Sequence, residues 1–524
     1  MTRWLVPASV VAFALALSLP RLAGEKYNGD ERWWIYTGER SWDLLCRGEL
    51  HDPFWSESHL LYGNASPPVA KYVIGIGLDA FGKRSPVRDI TSKKVSRTGE
   101  WYPRDVLWAA RVPSAVLGAL GILVFFLVAR DATTGRAAAF AAGLLATSPV
   151  WLSCSRRAMV DIHGASLGLV SLWLFVAARN ALHGGASLPR CLGWFAAVGV
   201  AVGLTVGAKF NAAGAALGAG ALLLVDVVRA RARGPRLRAL ASGTIMSAVA
   251  VGVFVGLYPY LHEDGWNRFT GILRVWREVR GLHVELGPGA FEDSYEPGLR
   301  SFAEAARLLL LPGGAALPWL VLPLAGAILF RTRWRERTSA ESARLAVWIL
   351  FLPGAIGALF APGLFAHLWI AWVGLVGGLL VAIVPEEPRE LEPRRRRARE
   401  AIAFYTLGSL AVVLATTTVT WARYYIALVP PVLLAAGVGL DGLTRDLVAR
   451  GGRRAAAPVI AACAFAALSV VAAYPDPGDT KIVRLLENGW ARPGALFLAG
   501  SVVSFCLFPA GFLRRARAPQ APGV

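Results

Sequence analysis

Two adjacent carboxylates, Asp30 and Glu31, stand in "YNGDERWWIYTGE" just after the first apolar run, beside Trp33 and Trp34. Tryptophans of this kind mark a bilayer interface, and insertion there does not require acids. A carboxylate can take a proton from a hydroxyl, and lysines and arginines can hold negative charge that builds on a departing group. Both kinds recur where apolar runs end: Lys71, Arg111, Arg156, Arg157, Asp161, Lys209 and Arg423. An ionisable group beside hydrocarbon is costly, so it faces a cavity with a task, or snorkels to the interface as Lys and Arg do. Acids snorkel poorly, which makes Asp30 and Asp161 the sharper signals. Each has a plain structural alternative. Asp30 and Glu31 could be an acidic helix start, and Asp161 could pair with Arg156 or Arg157.

The elements that must position these groups are membrane helices. Of 524 residues, 55% are hydrophobic, and the mean hydropathy is +0.48, more apolar than a soluble surface allows. Runs such as "VLGALGILVFFLVA" and "AVGVAVGLTVGA" belong to segments near the ~20 residues a spanning helix needs, whereas barrel strands are about 10 long and alternate. The expectation is an all-α polytopic membrane protein.

The first run, residues 4–20, reads as a span or a signal peptide, although "SLPRLAGE" is a poor cleavage site. Either way the loop after it lies outside. Within that loop, about 21–105, residues 67–82 are apolar but short, and "ERWWIYTGERSWDLL" puts Ile35, Trp42 and Leu45 on one face. Both stretches are expected to be re-entrant or interfacial helices. Further spans are predicted at about 106–129, 137–153, 160–178, 191–207, 210–228, 239–257, 314–330, 345–360, 364–384, 401–419, 424–440, 456–473 and 495–513. With the first they make about fourteen.

The short runs "RARARGPRLR", "RTRWRER", "EPRRRRARE", "RGGRR" and "RRAR" then fall on one side, the positive-inside pattern of cytoplasmic loops. Both termini are expected there, with the loops at about 21–105 and 258–311 external. The net charge of +20 is thereby spread over short loops. A nucleic-acid partner is excluded, because no exposed domain gathers the charge. Five cysteines show no CxxC spacing. Cys46 and Cys154 could pair outside, but isolated apolar thiols are the preferred reading. His163, His262 and His367 lack metal-ligand spacing and read as interface or core residues.

Taken in order, "DE" after the first helix, "PPVAKYVIGIG", "RVPSAVLGAL", "ATSPVWLSCSRRAMVDIHG", "GLTVGAKF" and "ARYYIALVPPVLLAA" resemble the GT-C membrane glycosyltransferases. The resemblance is to the protein O-mannosyltransferase and aminoarabinose-transferase type (glycosyltransferase family 39 and its bacterial relatives), over at least residues 1–440. It implies a GT-C-like catalytic module at 1–440, followed by C-terminal helices and a polar tail at 441–524. It implies Asp30 as the catalytic acidic residue with Glu31 beside it, and Asp161 as a second acidic position. Lys71, with Pro67 and Pro68, matches the "HPPLxK" element, Arg111 the arginine opening the second helix, Lys209 the "G-x-x-K" turn and Arg423 the late "RY" element. These cations, with Arg156 and Arg157, are the expected donor-phosphate clamp. Ser66 stands where a His or Lys usually precedes the two prolines.

The resemblance further implies an inverting transfer from a polyprenyl-phosphate-linked sugar to an acceptor hydroxyl on protein Ser/Thr, a lipid or an envelope glycan, outside a bacterial inner membrane. No cofactor is required by the sequence, and a divalent metal bridging acid and phosphate is compatible with it. The competing functions are a secondary transporter or lipid-linked-sugar flippase and a non-catalytic scaffold. A transporter would place its charges near the midplane of two related halves, whereas here they gather on the outer side. A scaffold leaves the outer acid–base cluster without a reason.

Overall fold

The computed structural model describes residues 2–25, 27–56, 66–87, 102–275, 392–416, 422–431, 433–434, 437–438 and 441. The described residues form helices and turns, in line with the all-α expectation. α1 covers Thr2–Ser18, α2 Glu31–Cys46, α3 Val69–Ala80, α4 Arg104–Ala132, α5 Gly135–Thr147 and α6 Pro149–Ser155. They are followed by α7 Val160–His183, α8 Leu188–Ala208, α9 Gly214–Arg229, α10 Arg233–Gly256 and α11 Pro393–Thr416. The spans expected at 314–330, 345–360, 364–384, 456–473 and 495–513 lie outside the described residues, and so does the segment 442–524.

Five stretches are long and apolar enough to cross a membrane among the described residues: α4, α7, α8, α10, and Phe210–Arg229, which joins a short 3-10 turn to α9. The chain is an integral membrane protein. α4, at 29 residues, is about 43 Å long by helix rise, more than the ~30 Å hydrocarbon core. Its first turns, with Arg104 and Asp105 exposed, therefore stand clear of the apolar layer. The span expected as one piece at 137–153 is two helices. Ser148 is extended at ψ 120° because Pro149 opens α6, and a residue before proline is pushed out of the helical region.

Small residues set the packing. A Cβ on Gly199 or Gly203 of α8 would come within 2.6 or 2.7 Å of the Met246 or Ala250 carbonyl of α10, so these two helices touch backbone to backbone, as close packing in lipid requires. The main core joins α1 and α4 to α11 around Phe125, Phe126, Trp151, Phe175, Phe195 and Leu222. A second cluster, with Ile35, Ile74, Leu78, Ala109 and Val160, seats α2 and α3 against α4 and the start of α7. On the face expected for α2, Ile35 is fully buried, and Trp42 and Leu45 pack at its edge.

Ion pairs divide the bundle into two ends. At one, Arg179 of α7 grips Asp226 of α9 with two bonds of 2.8 Å and reaches Glu400 of α11 at 3.0 Å. Arg394 of α11 holds Asp131 of α4 at 3.0 Å. The arginine-rich starts of α10 and α11 lie at this same end. The acidic and basic residues singled out by the sequence lie at the other.

Candidate active site

Glu31 and Asp30 take opposite directions. Successive residues of a helix point about 100° apart, so adjacent acids at a helix start cannot share one environment. Glu31 turns inward and is fully buried against Arg111. Arg111 Nε donates to its Oε1 at 2.8 Å, and Arg111 Nη2 to Oε2 at 2.7 Å. The backbone N–H of Ala158 donates to Oε1 at 2.8 Å, and that of Asn28 to Oε2 at 2.9 Å. Arg111 Nη1 donates to the carbonyls of Leu22, at 2.6 Å, and Glu25, at 3.0 Å. A charge so deep persists only when paired and saturated with hydrogen bonds, and both conditions hold. The pair ties the entry of α2 to α4 and to the turn before α7.

Asp30 sits at the N-cap position of α2, yet its side chain makes no capping bond. Its N–H is fixed by the Asn28 side chain at 3.0 Å, and its carboxylate reaches Arg423 Nη2 at 2.6 Å. Arg423 comes from the 3-10 stretch Ala422–Leu428 after α11. Both side chains remain partly open to solvent, at 21% and 16%.

Asp161, in the first turn of α7, pairs with Lys209 and not with Arg156 or Arg157. Lys209 leaves the end of α8 in an extended conformation before the chain resumes helically, which carries its side chain off the helix axis toward α7. Arg156 and Arg157 instead face Glu25, at 3.8 and 3.1 Å, an acid in the turns after α1 that sequence reasoning missed. Its signal was slight: a lone glutamate in "RLAGEKY". Arg157 Nε and the Tyr27 hydroxyl are buried polar groups without a hydrogen-bond partner among the described residues.

Lys71 stands on α3, buried, donating to the Ser66 carbonyl at 2.8 Å. Burial pulls its pKa down to about 7. Two residues earlier Val69 packs on Gly207 of α8, which brings the start of α3 to the helix end that carries Lys209. The 3-10 stretch that carries Arg423 packs against α6 and α7, which sets it beside the helix whose first turn carries Asp161. His163 is fully buried beneath them, 3.3 Å from the Ser114 hydroxyl. Cys46, Cys154 and Cys191 are free thiols. No group of three or more His, Cys, Asp or Glu side chains suited to a metal occurs among the described residues.

An integral membrane protein, helical throughout its described residues, with a charged, partly open centre at one end of its bundle is the class that fold and site define. Residues 39–259 match the family described as dolichyl-phosphate-mannose-protein mannosyltransferase, so the resemblance to protein O-mannosyltransferases expected from the motifs is borne out over that segment. No curated protein matches. Among solved structures the chain is similar to ArnT from Cupriavidus metallidurans bound to undecaprenyl phosphate, at 19% identity and TM-score 0.45, covering 96% of this chain and 76% of that one. It is also similar to the Archaeoglobus fulgidus oligosaccharyltransferase tethered with an acceptor peptide, at 15% identity and TM-score 0.44, covering 89% of this chain and 54% of that one. A third similar structure is AglB from the same organism, in complex with an inhibitory peptide and a dolichol-phosphate, at 17% identity and TM-score 0.44. It covers 90% of this chain and 55% of that one, so this chain spans about half the length of the oligosaccharyltransferase.

Proposed function

We propose that the protein is an inverting membrane glycosyltransferase. In this reading it moves a sugar from a polyprenyl-phosphate-linked donor to an acceptor hydroxyl on a protein, lipid or envelope glycan, outside the cytoplasmic membrane. The observation that carries this is the pairing at one partly open end of the bundle: the carboxylate of Asp30 meets Arg423, and Asp161 at the start of α7 meets Lys209, so proton acceptors and cations stand at one mouth. A partly open carboxylate can take a hydroxyl proton, and cations beside it can hold an anion, which a lipid phosphate at the membrane edge supplies. The family match over residues 39–259 supports the same class, and the arginine-rich opposite end supports the outward orientation.

Asp30 is the carboxylate open to solvent at this centre and takes the proton of the acceptor hydroxyl. The acceptor oxygen bonds to C1 of the sugar from the face away from phosphate, the C1–O bond to phosphate breaks, and polyprenyl phosphate leaves with the electron pair. Lys209 and Arg423, at the mouth, stabilise charge on the leaving phosphate. Arg111 acts through Glu31, holding α2 and with it Asp30. With purified protein in lipid and labelled polyprenyl-phosphate sugars, wild type forms a glycosylated acceptor, and Asp30→Asn loses about 100-fold or more of the rate, as removal of a general base does. Undiminished transfer by a well-inserted Asp30→Asn protein overturns the assignment of the base.

A further inference from the structure

Asp30 and Arg423, which the proposed reaction uses at different atoms, are bonded to each other at 2.6 Å. A carboxylate whose oxygen is taken by a guanidinium offers less of its lone-pair capacity to a hydroxyl. A guanidinium held by a carboxylate is likewise less available to phosphate. We propose that Arg423 is shared between the two: with the donor site empty it holds Asp30, and a polyprenyl phosphate headgroup draws it to a phosphate oxygen and releases the carboxylate. The lipid-linked sugar must then bind before the acceptor hydroxyl can lose its proton. This inference rests on the glycosyltransferase reading of the same site.

The contrast between the two acid–arginine pairs supports it. Glu31 and Arg111 are fully buried, and Glu31 accepts four bonds, so separating them strands charge in the core. Asp30 and Arg423 sit at the mouth, at 21% and 16% exposure, within reach of a headgroup and of water. Asp30 is not committed to capping α2, so its release leaves the helix start intact, with the N–H groups of Trp33 and Trp34 still donating to its backbone carbonyl. Moving the guanidinium from carboxylate to phosphate exchanges one anion for another, beside the Lys209–Asp161 pair. In the step that follows, the acceptor proton passes to Asp30, the C1–O bond to phosphate breaks as the bond to the acceptor forms, and the phosphate departs on Arg423. Loss of the lipid returns Arg423 to Asp30.

Binding couplings are reciprocal, which gives a test independent of transfer. Affinity for polyprenyl monophosphate is measured on the full chain in lipid nanodiscs for wild type, Asp30→Asn, Arg423→Gln and the double variant, with thermal unfolding confirming that each is folded. Sharing predicts that Asp30→Asn binds about tenfold tighter than wild type, a coupling of ordinary size, that Arg423→Gln binds more weakly, and that the gain disappears in the double variant. Should Arg423→Gln fail to insert, Arg423→Lys carries the same cycle, with a gain smaller than tenfold but not absent. An Asp30→Asn gain of equal size with and without Arg423, or no gain, overturns the exchange. If wild type nevertheless transfers sugar, the glycosyltransferase reading survives that failure. Neither binding of polyprenyl phosphate nor transfer by folded wild type overturns both.

Discussion

At Lys71 the ammonium is buried on α3, beside the Ser66 carbonyl, and burial brings its pKa from 10.5 to about 7. In the unfolded chain the same lysine keeps its proton to about pH 10.4. Between these values the unfolded state binds the extra proton, so stability rises with pH through this window. The penalty is fully present below pH 7 and gone above the unfolded value. Lys71→Met is therefore expected to gain thermal stability relative to wild type at pH 7, with the advantage fading as pH approaches 10.5. Unfolding midpoints of the two proteins over a pH series check this, and a difference that does not change with pH rules it out. A lysine held so close to neutral is also one that an arriving phosphate can charge, which suits a place in the donor clamp. Asp30 and Glu31 teach a related lesson. The sequence marks both as acids near a membrane surface, but a single residue step along α2 sends one to solvent and Arg423 and the other into the core with Arg111.

Among elements, the crossing of α2 and α3 fixes the site most tightly. A Cβ on Gly75 of α3 would lie 2.4 Å from the Gly38 carbonyl and from Trp42 Cβ, both on α2. Neither obstacle is the loose end of a side chain, so the helices must part. Gly75→Ala is expected to destabilise the protein by about 1–3 kcal/mol and to lower transfer by displacing α2, and Asp30 with it. Thermal unfolding and an activity assay on the same preparation measure both effects. Hydropathy located these two helices but could not say what lay between them. The short apolar stretch at 67–82 is α3, and its role is to press α2 against α4. The break at Ser148 and the extended Lys209 are similar: proline marks the first in the sequence, whereas nothing local marks the second.

Across the whole molecule, the end opposite the site is locked by Arg179, Asp226 and Glu400, which join α7, α9 and α11. Removing one partner of a buried pair leaves the other charged and stranded, a loss of about 3–5 kcal/mol. Arg179→Met should therefore lower the unfolding midpoint markedly. Its rate of sugar transfer per folded molecule should stay near wild type, because the lock lies at the far end of the helices. A fall in that rate as large as that of Asp30→Asn would mean that the two ends are coupled. What the sequence by itself determined is linear in kind. Runs of apolar residues make helices, arginine-rich stretches fall between them, and acids and cations beside the apolar runs mark candidate groups for a site. Partnership was decided only by the tertiary structure. Asp161 meets Lys209 across 48 residues, Arg111 meets Glu31 across 80, and Arg157 meets Glu25 across 132. Which charges neutralise each other depends on how each helix is rotated and how closely its neighbours approach. Those quantities come from packing the whole bundle, and no single segment carries them.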